Sequence, residues 1–568
     1  MINQSHMLNT IEDEELFDYE TFCQTFLNLT NLLDSENSTF SSKDLNYNFS
    51  RSVDRNEIIK EEEYIKRARI INTKLFPNQR IKIKAVAGSG KTSILKNFAR
   101  ANPNNKYIFI CYNKSVQAEK EEEFLKEGIT NVSVRTLHSL AWEGTKHFHK
   151  KKVVGKFKIL ERNLSYSFLI EKTLENFFVG NQTEIDSSHI PEEEIKIYFL
   201  KERRKYDQSQ IKSVKESVLY YSKLIWNNLC DSDSDNIISS KIKINHDAYL
   251  KYFQLHTELH ASVYRDLPLL IDEGHDFNPC SLDILFRNFK TGIIVYDPHQ
   301  SIYQFRGALE TKEIDSLDTT YEETLAQTFR FGMPLSNLVT KFIKKAKKLP
   351  NFEVFSDEKI KTGYTKVSNS FSLIENQTYF LLLSRTNLSL IKELFDIYIK
   401  NEEIYYTIYG GDEEFRKTLD ELDHLHSFII GEVNYFEGFS NLTKMINFYL
   451  DSKNLAMINK INYVSYNLSS FGLILKKIHN GLCKEKKYSD FTISTTHRVK
   501  GSEEDIVYLS DDFIETNSHG IVTSSDFQII SDEEINILNV ALTRARKHVY
   551  INEKTAERMN SILQENLL

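Results

Sequence analysis

From about residue 81 onward, short apolar runs alternate with longer stretches of helical period, and each run ends in polar or glycine residues. The runs at 81–86, 107–111 and 132–134 predict buried strands joined by helical crossovers, which is the rhythm of a parallel sheet. That rhythm resumes at 267–271 and 292–296, so the charged, mainly helical stretch between reads as an insertion within one α/β domain. A second series at 379–383, 405–409, 492–494, 506–509 and 549–551 predicts a second sheet, itself interrupted by a smaller helical insertion. The N-terminal residues are rich in Asn, Ser, Asp and Glu without a clean period and read as an extension. The expected division is an acidic and polar extension at 1–60, a first α/β domain at 61–144 and 261–310, and its helical insertion at 145–260. A second α/β domain follows at 311–411 and 488–568, with a small helical insertion at 412–487.

Composition narrows the class. The chain has 568 residues, of which 40% are hydrophobic, 12% aromatic and 27% charged, enough to bury several cores and contrary to wholesale disorder. The net charge of -8 supplies no global basic field, so a nucleic-acid partner would have to be met by local patches. Two such patches are the lysines within 146–158, including Lys150, Lys151 and Lys152, and the cluster Lys344, Lys345, Lys347 and Lys348. Charge runs of this kind more often form solvated faces. The five cysteines (Cys23, Cys111, Cys230, Cys280, Cys483) lack CxxC spacing and predict reduced thiols in a cytoplasmic protein. No run reaches the roughly 18 apolar residues of a membrane span, so no membrane association is expected.

The sharpest local chemistry is Ala85-Val86-Ala87-Gly88-Ser89-Gly90-Lys91-Thr92, placed between a strand and a helix. Backbone N–H groups converge on phosphate oxygens only where side chains leave room, hence Gly88 and Gly90, and the helix N-terminus adds positive potential. Ala87, Ser89 and Ser93 complete the expected cradle, Lys91 reaches toward the β/γ phosphates, and the Thr92 hydroxyl is a Mg²⁺ ligand in such loops. The expected cofactors are therefore ATP and Mg²⁺. A nucleotide hydrolase also needs a metal-holding acid and a base for water at a neighbouring strand end. Asp272 and Glu273 follow the apolar run 267–271 and fit those two roles.

The order of motifs resembles the UvrD/Rep-type superfamily 1 DNA helicases, and within them the F-box DNA helicase branch. The phosphate loop, Cys111-Tyr112-Asn113-Lys114-Ser115, Thr136-Leu137-His138-Ser139-Leu140-Ala141 and Asp272-Glu273-Gly274-His275-Asp276 are similar to the family's first motifs. The most diagnostic stretch is Asp297-Pro298-His299-Gln300-Ser301-Ile302-Tyr303-Gln304-Phe305-Arg306-Gly307-Ala308. Gln327-Thr328-Phe329-Arg330, Thr496-His497-Arg498-Val499-Lys500-Gly501-Ser502-Glu503 and Val540-Ala541-Leu542-Thr543-Arg544-Ala545-Arg546 complete the series in the family's order. The segment 246–255 is similar to a stretch typical of the F-box branch, although no F-box is read in the extension.

This resemblance implies an α/β fold of two RecA-like P-loop domains with parallel sheets, each interrupted by a mainly helical insertion. It implies an ATP-dependent DNA helicase or translocase moving 3′ to 5′ on single-stranded or tailed duplex DNA. It assigns Glu273, Gln300, Arg330 and Arg544 to catalysis, Phe329 to stacking on adenine, and Glu503 to the ribose or the helix-end network. Tyr112, Asn113, His138, Tyr303, Phe305, Arg306 and His497 become the candidate DNA track, where aromatic stacking and phosphate contacts suit any base sequence. Three departures stand out. His275 occupies a usual Gln position and is expected either to alter coupling or to make it pH-sensitive near the ordinary His pKa of about 6.5. Asn536 and Asn539 stand where Arg and Tyr are common, and Asn78-Gln79 lies close to the loop for an adenine-reading Gln. The alternative function is a nucleic-acid-sensing ATPase that switches a partner protein without unwinding, docking through the N-terminal extension.

Overall fold

A computed structural model describes residues 55–111, 114–145, 153, 156–159, 166–201, 207–231, 242–256, 266–303, 312–400, 404–452, 454–514 and 530–564. The chain divides into a unit Met1–Ile59, of which only the first residues of a helix are described, and a unit Lys60–Leu568, which carries everything that follows. The lysine run 146–152 and most of the extension lie outside the described residues.

Two parallel sheets organise the large unit. The first contains β1 (Arg80–Ala85), β2 (Tyr107–Cys111), β3 (Val132–Thr136), β4 (Leu269–Ile271), β5 (Gly292–Tyr296) and β6 (Tyr321–Leu325) in the order β3-β2-β4-β5-β1-β6. All five pairings are parallel. Its central strands β2, β4 and β5 are buried throughout, as apolar runs covered on both faces must be. The two-residue period divides them between two cores. Ile108, Ile110, Leu269 and Ile271 face the insertion helices. Tyr107, Phe109 and Leu270 face the helix Lys91–Ala101, which buries Ile94, Leu95, Phe98 and Ala99 on one side.

The second sheet contains β7 (Met333–Pro334), β8 (Lys361–Val367), β9 (Leu381–Ser384), β10 (Tyr406–Ile408), β11 (Phe491–Thr495), β12 (Glu504–Leu509) and β13 (Ala545–Asn552), in the order β7-β8-β13-β12-β9-β11-β10. Its pairings are parallel too. Leu381 and Leu383 face a core shared with the helices Leu335–Ala346, Asp532–Leu542 and Glu553–Leu563. Phe380 and Leu382 face a second core built with the helices Glu413–Ile429, Leu455–Tyr466 and Phe471–Asn480. The fold is mixed α/β with two parallel sheets, consistent with two RecA-like domains.

Three expectations need correction. The strand at 321–325 pairs with β1 in the first sheet, past the expected division at 310/311. Its outward residues are Glu322 and Thr324, so an edge strand with one wet face hides from a search for apolar runs. β8 escapes for the same reason, since Thr362 is its one buried position. The helix Arg55–Asn72 crosses the expected boundary at 60/61, and its second half belongs to the first core through Ile70. Cys111, Cys230, Cys280 and Cys483 are free thiols, and no helix among the described residues is long and apolar enough to cross a membrane.

The two sheets meet through polar as well as apolar groups. Val86, Ala87 and Ile302 of the first lobe pack into the second lobe's core with Phe331, Val499 and Leu542. Asn536 Nδ2 donates to Ser301 O at 2.8 Å and to Pro298 O at 3.3 Å, and Asn539 Nδ2 donates to His299 O at 2.8 Å. Both side chains are buried, so they tie the helix Asp532–Leu542 to the loop after β5 where water does not compete. Asn536→Ala or Asn539→Ala is expected to cost about 1–3 kcal/mol by stranding those carbonyls. Urea unfolding measured on each variant checks this, and an unchanged midpoint in both contradicts it.

Candidate active site

The site is assembled from opposite ends of the two sheets. The first sheet contributes the loops after the C-terminal ends of β1, β4 and β5, which are adjacent in the order β4-β5-β1. The second contributes residues just before its strands: Arg330 before β7, Glu503 before β12 and Arg544 before β13.

After β1 the backbone turns through Gly88 and Gly90, both at positive φ (71° and 76°), before the helix Lys91–Ala101 begins. A Cβ on Gly88 would lie 2.6 Å from Arg330 Cβ and 2.6 Å from Thr328 Oγ1. The Phe329 N–H donates to Gly88 O at 2.8 Å. Gly88 is therefore the point at which the segment 328–330 rests on the phosphate loop. Ala87 is buried in the interlobe core, Ser93 is exposed, and Ser89 Oγ is buried with no hydrogen-bond partner among the described residues.

Thr92 Oγ1 donates a short hydrogen bond to Asp272 Oδ2, which brings the two expected metal ligands together. Lys91 Nζ lies 3.8 Å from Glu273 Oε2. That oxygen is buried and accepts no hydrogen bond among the described residues, and Glu273 itself is held at φ 50°, a left-handed conformation unusual for a side chain of its size. Burial, reinforced by the Glu273 carboxylate, pushes the Asp272 carboxyl above its ordinary range, with Thr92 and Lys91 opposing. A dication beside Asp272 would relieve that penalty. The glycine turns, the partnerless Ser89 and Glu273 oxygens and the paired Thr92 and Asp272 groups together fit a nucleoside triphosphate with Mg²⁺.

Gln300 joins the lobes. Its Nε2 donates to Asp297 Oδ2 at 2.5 Å, and its Oε1 accepts from Arg544 Nη2 at 3.2 Å. Arg544 is 1% exposed and also donates to Val540 O at 2.9 Å and Ser502 O at 3.0 Å. Burial and the neighbouring Arg330 push its pKa down to about 9, so it is still cationic at neutral pH. Arg330 Nε donates to Glu503 Oε2 at 2.6 Å and Nη1 donates to Thr543 O at 3.2 Å. Glu503 is thus engaged by Arg330, with Arg546 3.7 Å from its other oxygen. Phe329 is 51% exposed and presents its ring face to Arg67.

Lys500, for which the sequence suggested no role, inserts from the second lobe into the first. Its Nζ bonds Asp276 and donates to Gln300 O at 2.8 Å, lies 2.9 Å from His275 Nε2, and sits 5.1 Å from the centre of the Tyr303 ring. Burial pushes the Asp276 carboxyl up to about 6 despite this partner. The His275 expectation is corrected here. The Asp297 N–H donates to Nδ1 at 3.1 Å and the Lys500 ammonium stands 2.9 Å from Nε2, so each ring nitrogen faces a donor. A second proton would have to point at an N–H group. Burial, with Lys500 and Lys91 nearby, holds the His275 pKa well below 6.5. The ring is neutral across the physiological range, and His275→Gln is expected to leave the position of the hydrolysis pH profile unchanged between pH 6 and 8. Loss of an inflection near pH 6.5 in that variant would contradict the assignment.

Of the candidate DNA track, Tyr112, Asn113, Phe305 and Arg306 lie outside the described residues. Tyr303 donates from its hydroxyl to His497 O at 2.9 Å, and the two rings are 6.2 Å apart. His138 stands apart from this pair. Its ring packs edge-on against His246 at 5.8 Å and Tyr249 at 6.0 Å, and burial with His246 pushes its pKa down to about 4. Sequence reading missed Glu63, which is 1% exposed and accepts from the N–H groups of Ala326 and Gln327 at 3.2 and 3.3 Å. In the run Glu61-Glu62-Glu63 it looked like solvated charge.

Residues 66–322 match the UvrD-helicase family model, described as the UvrD/REP helicase N-terminal domain. The chain is 28% identical over 536 residues to F-box DNA helicase 1 of Gallus gallus, covering 88% of this chain and 50% of that protein. It is 26% identical over 540 residues to F-box DNA helicase protein 1 of Schizosaccharomyces pombe, covering 85% of this chain and 56% of that protein. The chain therefore spans about half the length of these curated relatives. A solved Arterivirus nonstructural protein 10 (helicase) aligns with a TM-score of 0.30 and 9% identity over 88% of this chain and 64% of that one, too loosely to bear on function. The resemblance read from the motifs is thus matched by the family model and by the relatives.

Proposed function

We propose, for a chain whose residues 66–322 match the UvrD/REP helicase N-terminal domain, that it is an ATP-hydrolysing motor on DNA. In this reading it translocates 3′ to 5′ along single-stranded DNA and separates strands at a tailed duplex. The observation that carries the reading is the meeting of Arg330 and Arg544 of the second lobe with Gly88 and Gln300 of the first. Guanidinium groups from one lobe beside a phosphate loop on the other make hydrolysis conditional on closure, and closure is the movement that a bound strand feels.

The roles follow from position. Lys91 and the N–H groups of 88–92 bind the phosphates, and Thr92 with Asp272 would hold Mg²⁺, which supplies charge neutralisation of the β and γ oxygens. Glu273 takes the proton of the attacking water. Its strained backbone and its buried oxygen, which accepts no hydrogen bond among the described residues, support that role over a structural one. Arg330 and Arg544 stabilise the charge that develops on the γ-phosphoryl oxygens. Gln300 reports the state of that group to the loop 301–303, where Tyr303 and His497 face the proposed strand. Phe329 stacks on the nucleotide base. We also place the boundary of the first RecA-like domain after β6.

The test is ATP turnover with single-stranded DNA, duplex DNA and RNA in parallel, joined to strand separation on 3′-tailed and 5′-tailed duplexes. The reading expects stimulation by single-stranded DNA and separation from the 3′ tail alone. Strong stimulation without separation on either substrate would favour a nucleic-acid-sensing ATPase that acts on a partner.

A further inference from the structure

The chain passes from the first sheet to the second between Leu325, the end of β6, and Met333, the start of β7. This crossing carries Phe329 and Arg330, and it rests on the phosphate loop where the Phe329 N–H meets Gly88 O. Its root is held by the helix Arg55–Asn72. Glu63 of that helix is 1% exposed, and its Oε2 accepts from the N–H groups of Ala326 and Gln327 at 3.2 and 3.3 Å. Its Oε1 accepts from Lys66 Nζ at 2.9 Å, and Lys66 also donates to Thr324 O at 3.4 Å. One turn on, the Arg67 guanidinium lies 4.8 Å from the centre of the Phe329 ring. Positions 63, 66 and 67 share one helix face, so a single face follows the crossing from Thr324 to Phe329.

A carboxylate at this place has a physical reason. β6 is an edge strand, and just beyond it Ala326 O accepts from the Phe355 N–H at 2.9 Å while the N–H groups of Ala326 and Gln327 turn to the helix. Removing Glu63 would strand both donors against a covered surface. One charged oxygen shared by two successive N–H groups fixes the direction of the backbone as well as its distance. Arg330 stands three residues beyond Gln327, a reach of about 10 Å at most, so a shift at the root passes to the guanidinium with little slack. From the other side Arg330 is restrained by the second lobe, through Glu503 and Thr543 O. Glu63 adds the first lobe's hold on the same stretch.

We propose that Glu63 is a positioning residue for hydrolysis, holding the crossing so that Arg330 and Phe329 meet the nucleotide on the phosphate loop. The inference rests on the reading above, in which Arg330 stabilises the γ-phosphoryl charge and Phe329 stacks on the base.

ATP turnover of the full chain with single-stranded DNA tests it in wild type, Glu63→Ala, Glu63→Gln, Glu63→Asp, Arg330→Ala and the double variant Glu63→Ala/Arg330→Ala, with single-turnover rates for the slow ones. Glu63→Ala is expected to lower kcat about 10- to 100-fold, the cost of misplacing a reacting group by about 1 Å or less, and to raise KM for ATP. Glu63→Gln keeps an oxygen of the same reach and is expected to return most of the loss. Glu63→Asp keeps the charge and draws the acceptor back by one methylene, so its kcat is expected to lie nearer that of Glu63→Ala. In the Arg330→Ala background the loss of Glu63 is expected to change kcat by no more than about twofold, because the group it aims is gone. A contribution to stability alone would lower kcat by the same factor in both backgrounds and leave KM unmoved. That result, wild-type kinetics in Glu63→Ala, or an Asp variant more active than Gln would overturn the proposal while an impaired Arg330→Ala leaves the hydrolase reading in place. Full turnover in Arg330→Ala, or none in wild type, would sink that reading and this inference with it.

Discussion

Glu273→Gln is expected to lower DNA-stimulated ATP turnover by about 10²–10⁴-fold while nucleotide affinity and the fold are preserved. The substitution is isosteric and removes only the capacity to take a proton. The carboxylate stands at the end of β4, 3.8 Å from Lys91 Nζ, with Oε2 buried and accepting no hydrogen bond among the described residues. A carboxylate kept only for stability would be expected to use that oxygen. Glu273 also repels its neighbour Asp272, whose carboxyl is raised in part for that reason. Removing the charge relieves that repulsion, so thermal stability is expected to hold or rise as activity falls. A drop in kcat with unchanged KM and an undiminished melting temperature checks both halves. Wild-type turnover in the purified variant would remove Glu273 from the base role.

Arg544→Ala is expected to lose about 10³-fold or more in turnover, the scale of an arginine that stabilises phosphoryl transfer. It is also expected to lose stability, because the side chain is fully enclosed. Its removal strands Ser502 O and Gln300 Oε1 and leaves a cavity at the lobe interface, together about 2–4 kcal/mol. Arg544→Lys distinguishes the two effects. An ammonium keeps the charge but cannot reach Val540, Ser502 and Gln300 at once as the planar group does. Turnover in the Lys variant is expected to fall by about 10²-fold or more while most of the stability returns. Full activity in Arg544→Lys would show that charge alone suffices and that the bridge to Gln300 is dispensable.

What could be read from the chain, and what could not, follows from the range of each interaction. The phosphate loop, the Asp272-Glu273 pair and the strands β2, β5 and β11 are local patterns, because buried parallel strands need unbroken apolar runs and phosphate binding needs glycine at particular positions. β6 and β8 each bury a single position fully, and their polar residues conceal the period. Arg67 and Glu63 are invisible in the sequence for a different reason. Their partners Phe329, Ala326 and Gln327 lie some 260 residues away, and nothing in the local spacing marks one Glu of three as buried. His275 shows how distance along the chain alters chemistry. The residue alone suggests a titrating switch, but Lys500, brought from the other lobe, and the Asp297 N–H leave no place for a second proton.

In the proposed motor, hydrolysis at the phosphate loop requires the second lobe and is governed by a bound strand. The most direct measurement is ATP turnover of the full chain with and without single-stranded DNA, run side by side on wild type and Arg544→Ala. The strand is expected to accelerate wild-type turnover and to have no such effect on the variant, although the variant still binds nucleotide. Wild-type turnover indifferent to the strand, or stimulation that survives loss of Arg544, would contradict it.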